Sequence, residues 1–313
     1  MEQKLLKTGA DSLKKAALNE DAKEFILKND TIFKVLKKAA NRYIGGESTN
    51  EALKTVREWN NKGFDVTTDF MGESIRNEKD ANKATAEFVQ FAKAIKRENL
   101  NSSISLDLSH IGLLVSNDLA TENLRIICNE AQKMNQEVII SMEGTDRTDR
   151  ILDIYVETLK SYKNLGITMQ AYLHRTKDDF KEVAKLSGSI RMVKGAYETP
   201  DGLSIKRGSE LDQIYLDYVE QLLSQNHRCS IASHHEKIHQ ESIKLIKKLK
   251  PTNYVLERLL GIRNEELIEY KGKGLNCRIY IVYGKEWYLY LCNRWAEYPL
   301  SMFQGIADIV EEK

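Results

Sequence analysis

The chain has 313 residues, of which 42% are apolar and 30% are charged, and its formal net charge is +1. This near-neutral balance gives no electrostatic case for a nucleic-acid partner, and it favours at most peripheral contact with a membrane. The length allows two ordinary domains or one large α/β barrel.

Cysteine usage and the N-terminal pattern both indicate a cytoplasmic protein. Four cysteines lie far apart without a CxxC pair, which is typical of free thiols in a reducing compartment. The N-terminal segment has no long apolar core and no small-residue cleavage site, so it predicts a helix and not a signal peptide. No run approaches the roughly 20 apolar residues that a membrane span needs.

The first part of the chain predicts helices only. Apolar residues recur at helical spacing through "AKEFILKNDTIFKVLKKAANRYI", and a second helical run begins near Ser48 and ends near Gly63. We therefore expect residues 1–62 to form a helical arm ahead of the main body.

From Gly63 onward, short β-rich runs alternate with longer helical ones. Eight runs predict strands, at 65–70, 102–108, 137–142, 167–173, 189–193, 229–233, 254–260 and 278–283. Eight strands with helical spacers predict an α/β fold, a (β/α)8 TIM-type barrel over residues 63–313. A doubly wound open sheet is the alternative. In a barrel of this kind, the active site lies at the C-terminal ends of the strands.

The run "SIRMV" places a charged residue inside a predicted strand. Alternation puts Arg191 and Val193 on one face, so Arg191 points either at a bound ligand or at a buried acid in a structural ion pair. After the strand, Gly195 and Ala196 allow a flat ligand to approach the backbone, and Tyr197 can cover it.

The last predicted strand and the helix after it carry a second cluster of aromatic residues. Tyr290 and Arg294 are four residues apart and share one helix face, which suits a small carboxylate with an apolar ring. Packing in the core is the alternative for these aromatics, which are Tyr280, Tyr283, Trp287, Tyr288 and Tyr290.

The segment "SHHEKIH" resembles a metal site, because His235 and His239 are four residues apart. No His-x-His pair follows the first strand, and Cys229 has no partner cysteine, so we expect no metal. No Gly-x-Gly-x-x-Gly or Walker loop occurs either.

Together these segments resemble the proline dehydrogenase family, flavoenzymes with a distorted (β/α)8 barrel. "RMVKGAYE" resembles the family's Arg-Leu-Val-Lys-Gly-Ala-Tyr strand, and "IYIVYGKEWYLYLCNRWAE" resembles its last strand and substrate helix. "DFMGES", "MQAYLHRT" and "IASHHE" fall at matching strand ends, and the likeness covers roughly residues 40–300.

The resemblance implies a noncovalent FAD, with Arg191 and Tyr197 as the catalytic residues. Arg191 would hydrogen-bond the flavin N5 region, and Tyr197 would pack against the substrate ring. The implied cofactor residues are Gln170, Arg191, Lys194, Gly195, Ser233, His234 and, at the ribose, Glu297. The implied substrate residues are Tyr197, Tyr280 and Tyr290 around the ring and Arg294 at the carboxylate.

Several positions depart from the family pattern on the substrate side. Asp107 stands where the family has a lysine, Ser141 where it has an aspartate, and Asn293 where it has the first of two arginines. These changes lower the formal charge of the pocket by about two units. The residues implied for the cofactor are kept, whereas residues implied for binding the substrate carboxylate are changed. Three further departures lie elsewhere, at Val255, Glu257 and Val282.

The leading hypothesis is an FAD-dependent dehydrogenase that oxidises L-proline, or a related cyclic or secondary amine, to an imine by hydride transfer to flavin N5. Its partners would be a small amine or imino acid and a quinone or other electron acceptor. One alternative is a relative whose substrate has no free carboxylate, as in a biosynthetic tailoring role, and another is a flavin-binding relative without catalysis. A metal-dependent hydrolase built on His234, His235 and His239 is a third alternative.

Overall fold

The computed structural model describes residues 2–310, which fold around a closed barrel of eight parallel strands. The strands follow one another around the barrel in chain order, and β8 pairs with β1 to close it. They are β1 (Asp65–Phe70), β2 (Ser102–Leu106), β3 (Val138–Ile140), β4 (Leu165–Gln170), β5 (Ser189–Val193), β6 (Cys229–Ala232), β7 (Tyr254–Leu259) and β8 (Cys277–Tyr283). The predicted (β/α)8 barrel is confirmed, and the open sheet is wrong.

A helix follows every strand and covers the outside of the barrel. Four helices precede β1, namely α1 (Glu2–Ala17), α2 (Glu20–Lys28), α3 (Asp30–Asn41) and α4 (Thr49–Asn61). The helices after the strands are α5 (Glu78–Arg97), α6 (Asn117–Lys133), α7 (Thr148–Leu159), α8 (Thr176–Val183), α9 (Ser209–Ser224), α10 (Glu236–Leu249), α11 (Asn264–Gly272), α12 (Trp287–Glu297) and a final α13 (Ser301–Val310).

Helix α5 shows why these segments are helical and how they pack. Its N-cap is Asn77, whose Oδ1 accepts a hydrogen bond from the backbone N–H of Asp80 at 2.9 Å. Alanine, phenylalanine and isoleucine then recur at three- and four-residue spacing along one buried face of α5. That face packs against α6 and β2.

Polar side chains occupy the interior of the barrel at the level of the site. Arg191 and Glu257 lie there, and Arg278, near the start of β8, has its Nη1 3.3 Å from Ser230 Oγ and 3.7 Å from Glu257 Oε2. Bulky branched residues fill this space in most barrels of this type. Buried charged side chains of this kind are rare unless they are paired, as these are.

The predicted limits of β1 and β5 match the structure, whereas β2 and β4 end earlier than predicted. After Leu106 the chain turns, and the backbone N–H of His110 donates to the carbonyl of Asp107 at 3.1 Å. Leu108 in this turn is fully buried, so its apolar side chain extended the strand-like pattern past the real end of the strand.

The predicted N-terminal helices are present as α1 to α4, and they pack against later parts of the chain. Helix α1 packs against α12, α3 packs against α13, and α4 packs against β1 and β8. Segment 44–46 extends this contact, because the backbone N–H of Gly45 donates to the carbonyl of Val282 at 2.8 Å. The division at residues 62 and 63 stays a prediction.

Within residues 2–310, no helix combines the length and apolar character that crossing a bilayer requires.

Candidate active site

A cavity of about 1220 Å³ opens at the C-terminal ends of the strands. Residues from all eight strand ends and from helix α12 line it, as the topology of the barrel requires. All of the site residues predicted from sequence lie on this cavity: Asp107, Ser141, Gln170, Arg191, Lys194, Gly195, Tyr197, Ser233, His234, Tyr280, Tyr290, Asn293, Arg294 and Glu297. Their individual roles stay predictions.

Arg191 projects from β5 into the barrel, as strand alternation predicts, and is only 4% exposed. Its Nε lies 2.7 Å from Glu257 Oε1, and its Nη1 donates to Ser105 Oγ at 3.0 Å. The guanidinium carbon lies 4.8 Å from the centre of the Tyr280 ring. Nη2 is buried and has no hydrogen-bond partner, although it belongs to a side chain that lines the cavity.

The two interpretations of Arg191, a ligand contact or an internal ion pair, are therefore compatible. Glu257, on β7, neutralises the guanidinium from one side, and both side chains are buried. Burial alone would lower the pKa of Arg191, but the nearby carboxylate of Glu257 raises it, so the group stays charged. The free Nη2 edge remains available to an acceptor in the cavity.

Two carboxyl groups, Asp69 and Asp107, lie on the cavity wall at the ends of neighbouring strands β1 and β2. Tyr280 Oη donates to Asp69 Oδ2 at 2.5 Å. Burial raises the pKa of Asp69 to about 7, against the opposing effects of the Tyr280 hydrogen bond and the Arg191 charge. Burial, followed by the charge of Asp69, raises the pKa of Asp107 well above its usual range.

Asp69 and His110 are site residues that the sequence analysis missed. Asp69 is the second-to-last residue of β1, and the sequence analysis interprets the segment "DFMGES" only as the end of a strand. His110 is 4% exposed, stacks on Phe70 with ring centres 5.1 Å apart, and lines the cavity. Burial lowers the pKa of His110 to about 4, so its imidazole is neutral at pH 7.

Helix α12 presents the predicted substrate residues on one face. Arg294 Nη2 donates to Glu297 Oε1 at 2.7 Å, and the guanidinium carbon lies 5.1 Å from the centre of the Tyr290 ring. Arg294 Nε and Tyr290 Oη are buried without partners. Two residues that the resemblance implies for different parts of the ligands, Arg294 and Glu297, are thus paired with each other.

The aromatic cluster of the last strand and helix divides into two parts. Tyr280 and Tyr290 line the cavity, as the site interpretation predicted. Trp287 packs edge-on against Phe33 of α3 with ring centres 5.4 Å apart, and Tyr283 stacks on Phe91 at 5.1 Å. For these residues the alternative of core packing is correct, because they face the helices and not the cavity.

Lys194 and Gly195 follow β5 at the rim of the cavity. Lys194 Nζ pairs with the carboxylate of Asp212 and lies 2.9 Å from His235 Nδ1. Gly195 has φ = +111°, and a Cβ there would come within 2.2 Å of the Tyr172 ring. Glycine is therefore required by its conformation and by a protein side chain, which differs from the ligand approach proposed from sequence.

The three histidines of the metal hypothesis do not converge. His239 is fully buried, and its Nδ1 accepts from Arg258 Nε at 3.3 Å. His235 contacts Lys194, and His234 lines the cavity with a buried Nδ1 that has no partner. In the described part of the chain, no three His, Cys, Asp or Glu side chains are grouped so that they could hold a metal ion.

The N-terminal helices reach the mouth of the cavity, which the sequence did not predict. Lys23 of α2 lines the cavity, and its Nζ lies 2.8 Å from Glu286 Oε2 in the loop before α12. Lys14 of α1 forms an exposed ion pair with Glu198, 2.7 Å away, in the loop after β5. Helices α1 and α2 therefore each contact a loop that surrounds the site.

Comparisons with known proteins identify the family of this chain. The family model described as Proline dehydrogenase matches residues 52–297. Proline dehydrogenase 2 of Bacillus subtilis strain 168 is 33% identical over 273 residues, which is 86% of this chain and 90% of that protein. Proline dehydrogenase of Deinococcus radiodurans is 26% identical over 267 residues, 83% of this chain and 86% of that protein.

The fold also matches a solved structure. The proline utilization A protein of Bdellovibrio bacteriovorus, inactivated by N-propargylglycine, superimposes with a TM-score of 0.78 at 18% identity. The match covers 96% of this chain and 40% of that protein, so it bears on the barrel and not on the rest of the larger chain.

Proposed function

This chain belongs to the proline dehydrogenase family, and we propose that it oxidises L-proline, or a close cyclic secondary amine, to a cyclic imine with noncovalent FAD as the hydride acceptor. Membership makes the chain an oxidoreductase that acts on a CH–NH bond. The observation that carries the proposal is the buried, unpartnered Nη2 of Arg191 on the wall of a large cavity.

The polar groups of the cavity fit a flavin. Buried atoms without partners cost free energy unless a ligand pairs with them, and several belong to residues that line this cavity, among them Arg191 Nη2, Gln170 Oε1 and His234 Nδ1. They include an obligate donor and an obligate acceptor, as the polar edge of an isoalloxazine requires. A volume of about 1220 Å³ exceeds the roughly 300–1,000 Å³ that is usual for small-ligand pockets, so a cofactor and a substrate both have room.

When bound, FAD supplies a ring nitrogen that accepts a hydride from the carbon next to the amine nitrogen. Arg191 is held in place by Glu257 and Ser105, so its free edge is fixed before any ligand binds. Lys194, Gly195, Ser233 and His234 would hold other parts of the cofactor along the rim, and Glu297 would meet the ribose. Gln170 would contact the ring.

Side chains from β5, β8 and α12 would position the substrate. Tyr280 and Tyr290 give the cavity an aromatic wall, and Tyr197 would cover the ring from the loop after β5. Arg294 would bind the carboxylate through its buried, unpartnered Nε. The roles of Ser141 and Asn293, which also line the cavity, are limited to neutral hydrogen bonds.

Family membership implies a small-molecule substrate and an electron acceptor, and we propose a quinone as that acceptor. A cytoplasmic location stays a prediction. The comparisons do not favour the non-catalytic alternative, because the family model and the relatives that match most of the chain are proline dehydrogenases.

Anaerobic titration of the purified protein with L-proline tests the proposal. We expect about one flavin per chain, loss of its visible absorbance as proline is added, and a cyclic imine as product. A flavin that dithionite reduces but that no cyclic amine reduces would support the non-catalytic alternative. A colourless protein that takes up no FAD would exclude both.

A further inference from the structure

The inner end of the cavity, around the ends of β1 and β2, carries hydrogen-bond acceptors without matching cations. Asp69 and Asp107 lie on its wall, and neither forms an ion pair in the part of the chain that the structure describes. Asp69 accepts one hydrogen bond from Tyr280, and Asp107 has a hydrogen bond with Ser141. Both partners are neutral, so the acidic groups are not compensated by protein cations in direct contact.

His110 is an independent sign of a ligand at this end. Its side chain is 96% buried, and its ring hydrogen-bonds the backbone of Phe70, which leaves Nδ1 without a partner. In the tautomer protonated at Nε2, the unpartnered Nδ1 is an acceptor. His110 lines the same cavity as the two carboxyl groups, so a donor group of a ligand can satisfy this nitrogen.

Most cations that line the cavity are paired with carboxylates, whereas Arg207 is exposed and donates to the backbone carbonyl of Gly195 at 3.1 Å. Arg191 pairs with Glu257, Arg294 with Glu297, and Lys194 with Asp212. Each of these positive charges is therefore offset by a neighbouring carboxylate. The other charged groups near the inner end are Glu73, Glu143 and Arg147, and Glu143 is neutralised by Arg147 at 2.5 Å.

We propose that Asp69, Asp107 and His110 form an acceptor pole that binds the protonated nitrogen of the substrate. A protonated secondary amine carries a positive charge and two N–H donors. These are the groups that the acceptor pole needs and that the protein does not supply. This inference rests on the proposed oxidation of a cyclic amine and defines its substrate class. The class is cyclic secondary ammonium ions, for which the carboxylate is the lesser determinant of affinity.

The pole also predicts a proton balance. Burial raises the pKa of both Asp69 and Asp107, and the charge of Asp69 raises that of Asp107 further, so the free pair retains a proton near pH 7. A bound ammonium ion favours the doubly ionised pair, so one cation enters as one proton leaves. The ionised pair can then accept the ammonium proton, which frees the nitrogen lone pair that hydride loss from the adjacent carbon requires. A ligand that has only a carboxylate cannot displace this proton.

Three ligands test the contributions of the amine and of the carboxylate to binding separately. Proline has both groups, prolinamide keeps the amine without the carboxylate, and cyclopentanecarboxylate keeps the carboxylate without the amine. Calorimetry would be done anaerobically on the flavoprotein after reduction with dithionite, so that no turnover occurs. Titration in two buffers of different ionisation enthalpy gives the protons released.

We expect both proline and prolinamide to bind and to release a proton at pH 7, with prolinamide weaker by less than about tenfold because it lacks the carboxylate contact with Arg294. Cyclopentanecarboxylate should bind at least about tenfold more weakly, since it makes no charge-assisted contact with the pole, and should release none. The D107N variant should weaken prolinamide at least about tenfold and reduce proton release, since only Asp69 can then lose a proton. D118N, an exposed aspartate on α6, is the matched control and should behave as the wild type.

The inference is overturned if cyclopentanecarboxylate binds more tightly than prolinamide, or if D107N and D118N bind prolinamide equally. If D107N does not fold, D69N replaces it, and the three-probe order of the wild type decides independently. Should proline bleach the oxidised flavin while prolinamide fails to bind, the inference falls and the proposed function stands. Should no amine bleach it, the proposed function falls, while the order of binding still decides the inference.

Discussion

Arg191 Nε lies 2.7 Å from Glu257 Oε1, and the two side chains are 4% and 2% exposed. This buried pair joins β5 to β7 across the interior of the barrel, and it leaves Nη2 of a cavity-lining side chain without a hydrogen-bond partner. An isolated buried arginine would be costly, so the carboxylate explains how the charge is tolerated. The same pairing fixes the orientation of the free edge.

Removing the charge of Glu257 should change the electrostatics of the flavin. The E257Q variant keeps the shape and an acceptor for Arg191, but the guanidinium charge is no longer offset. We expect the midpoint potential of the bound flavin to rise, by about 30 mV if the two-electron equilibrium shifts about tenfold. Spectroscopic redox titration measures it, and E98Q, which removes the acid partner of Arg57, is the control. An unchanged potential would place the flavin away from this pair.

Removing Arg191 should separate its structural role from its functional one. R191A leaves Glu257 buried without its main partner, which costs about 3–5 kcal/mol of the free energy of unfolding. The double variant R191A/E257Q should regain much of this stability in denaturant unfolding, yet retain weak flavin binding or slow reduction by proline. Recovery of both properties in the double variant would mean that Arg191 acts only on stability.

Asp69 predicts a pH dependence of stability. The pKa of Asp69 is raised to about 7 in the folded protein, mainly by burial, whereas an unfolded aspartate titrates near 3.9. The folded state therefore holds more protons between these values, and stability falls as pH rises from about 4 to about 7. D69N removes this loss.

The comparison of D69N with the wild type isolates this group from His110, whose lowered pKa acts in the opposite direction below pH 6.5. We expect similar melting temperatures near pH 4 and a higher one for D69N above pH 7, by ~2–4 °C for each kcal/mol recovered. A constant difference in Tm across this range, measured by scanning calorimetry, would argue against a raised pKa.

Two glycines with positive φ separate backbone strain from side-chain contact. Gly202 has φ = +82° and open space around it, whereas Gly195 has φ = +111° and faces the Tyr172 ring. G202A should cost about 1–2 kcal/mol from its conformation alone. G195A should cost about 1–3 kcal/mol more, because the ring must move. Equal losses in denaturant unfolding would mean that Tyr172 moves away freely.

Local patterns predicted the barrel well, since alternation and helical periodicity each act over a few residues. The limits of β1 and β5 match, and Arg191 points inward as strand alternation requires. The cavity also unites the residues implied by the resemblance. Turns that bury apolar side chains, such as the one at Leu108, were indistinguishable from strand.

Long-range relationships were not predictable in the same way. The pairing of Arg191 with Glu257, and of Tyr280 with Asp69, depends on how separate strands meet in the closed barrel. The contact of Lys23 with Glu286 depends on how α2 packs over the loops. No short segment of sequence contains these partners together, so they required the three-dimensional arrangement.

The central claim is that the free edge of Arg191 meets the flavin, and a crystal structure of the FAD-loaded protein tests it most directly. We predict that Nη2 lies within hydrogen-bond distance of an acceptor on the isoalloxazine while Nε keeps its contact with Glu257. An electron-density map that shows the ring elsewhere, or Nη2 satisfied by a protein acceptor with no ring above it, would contradict the account.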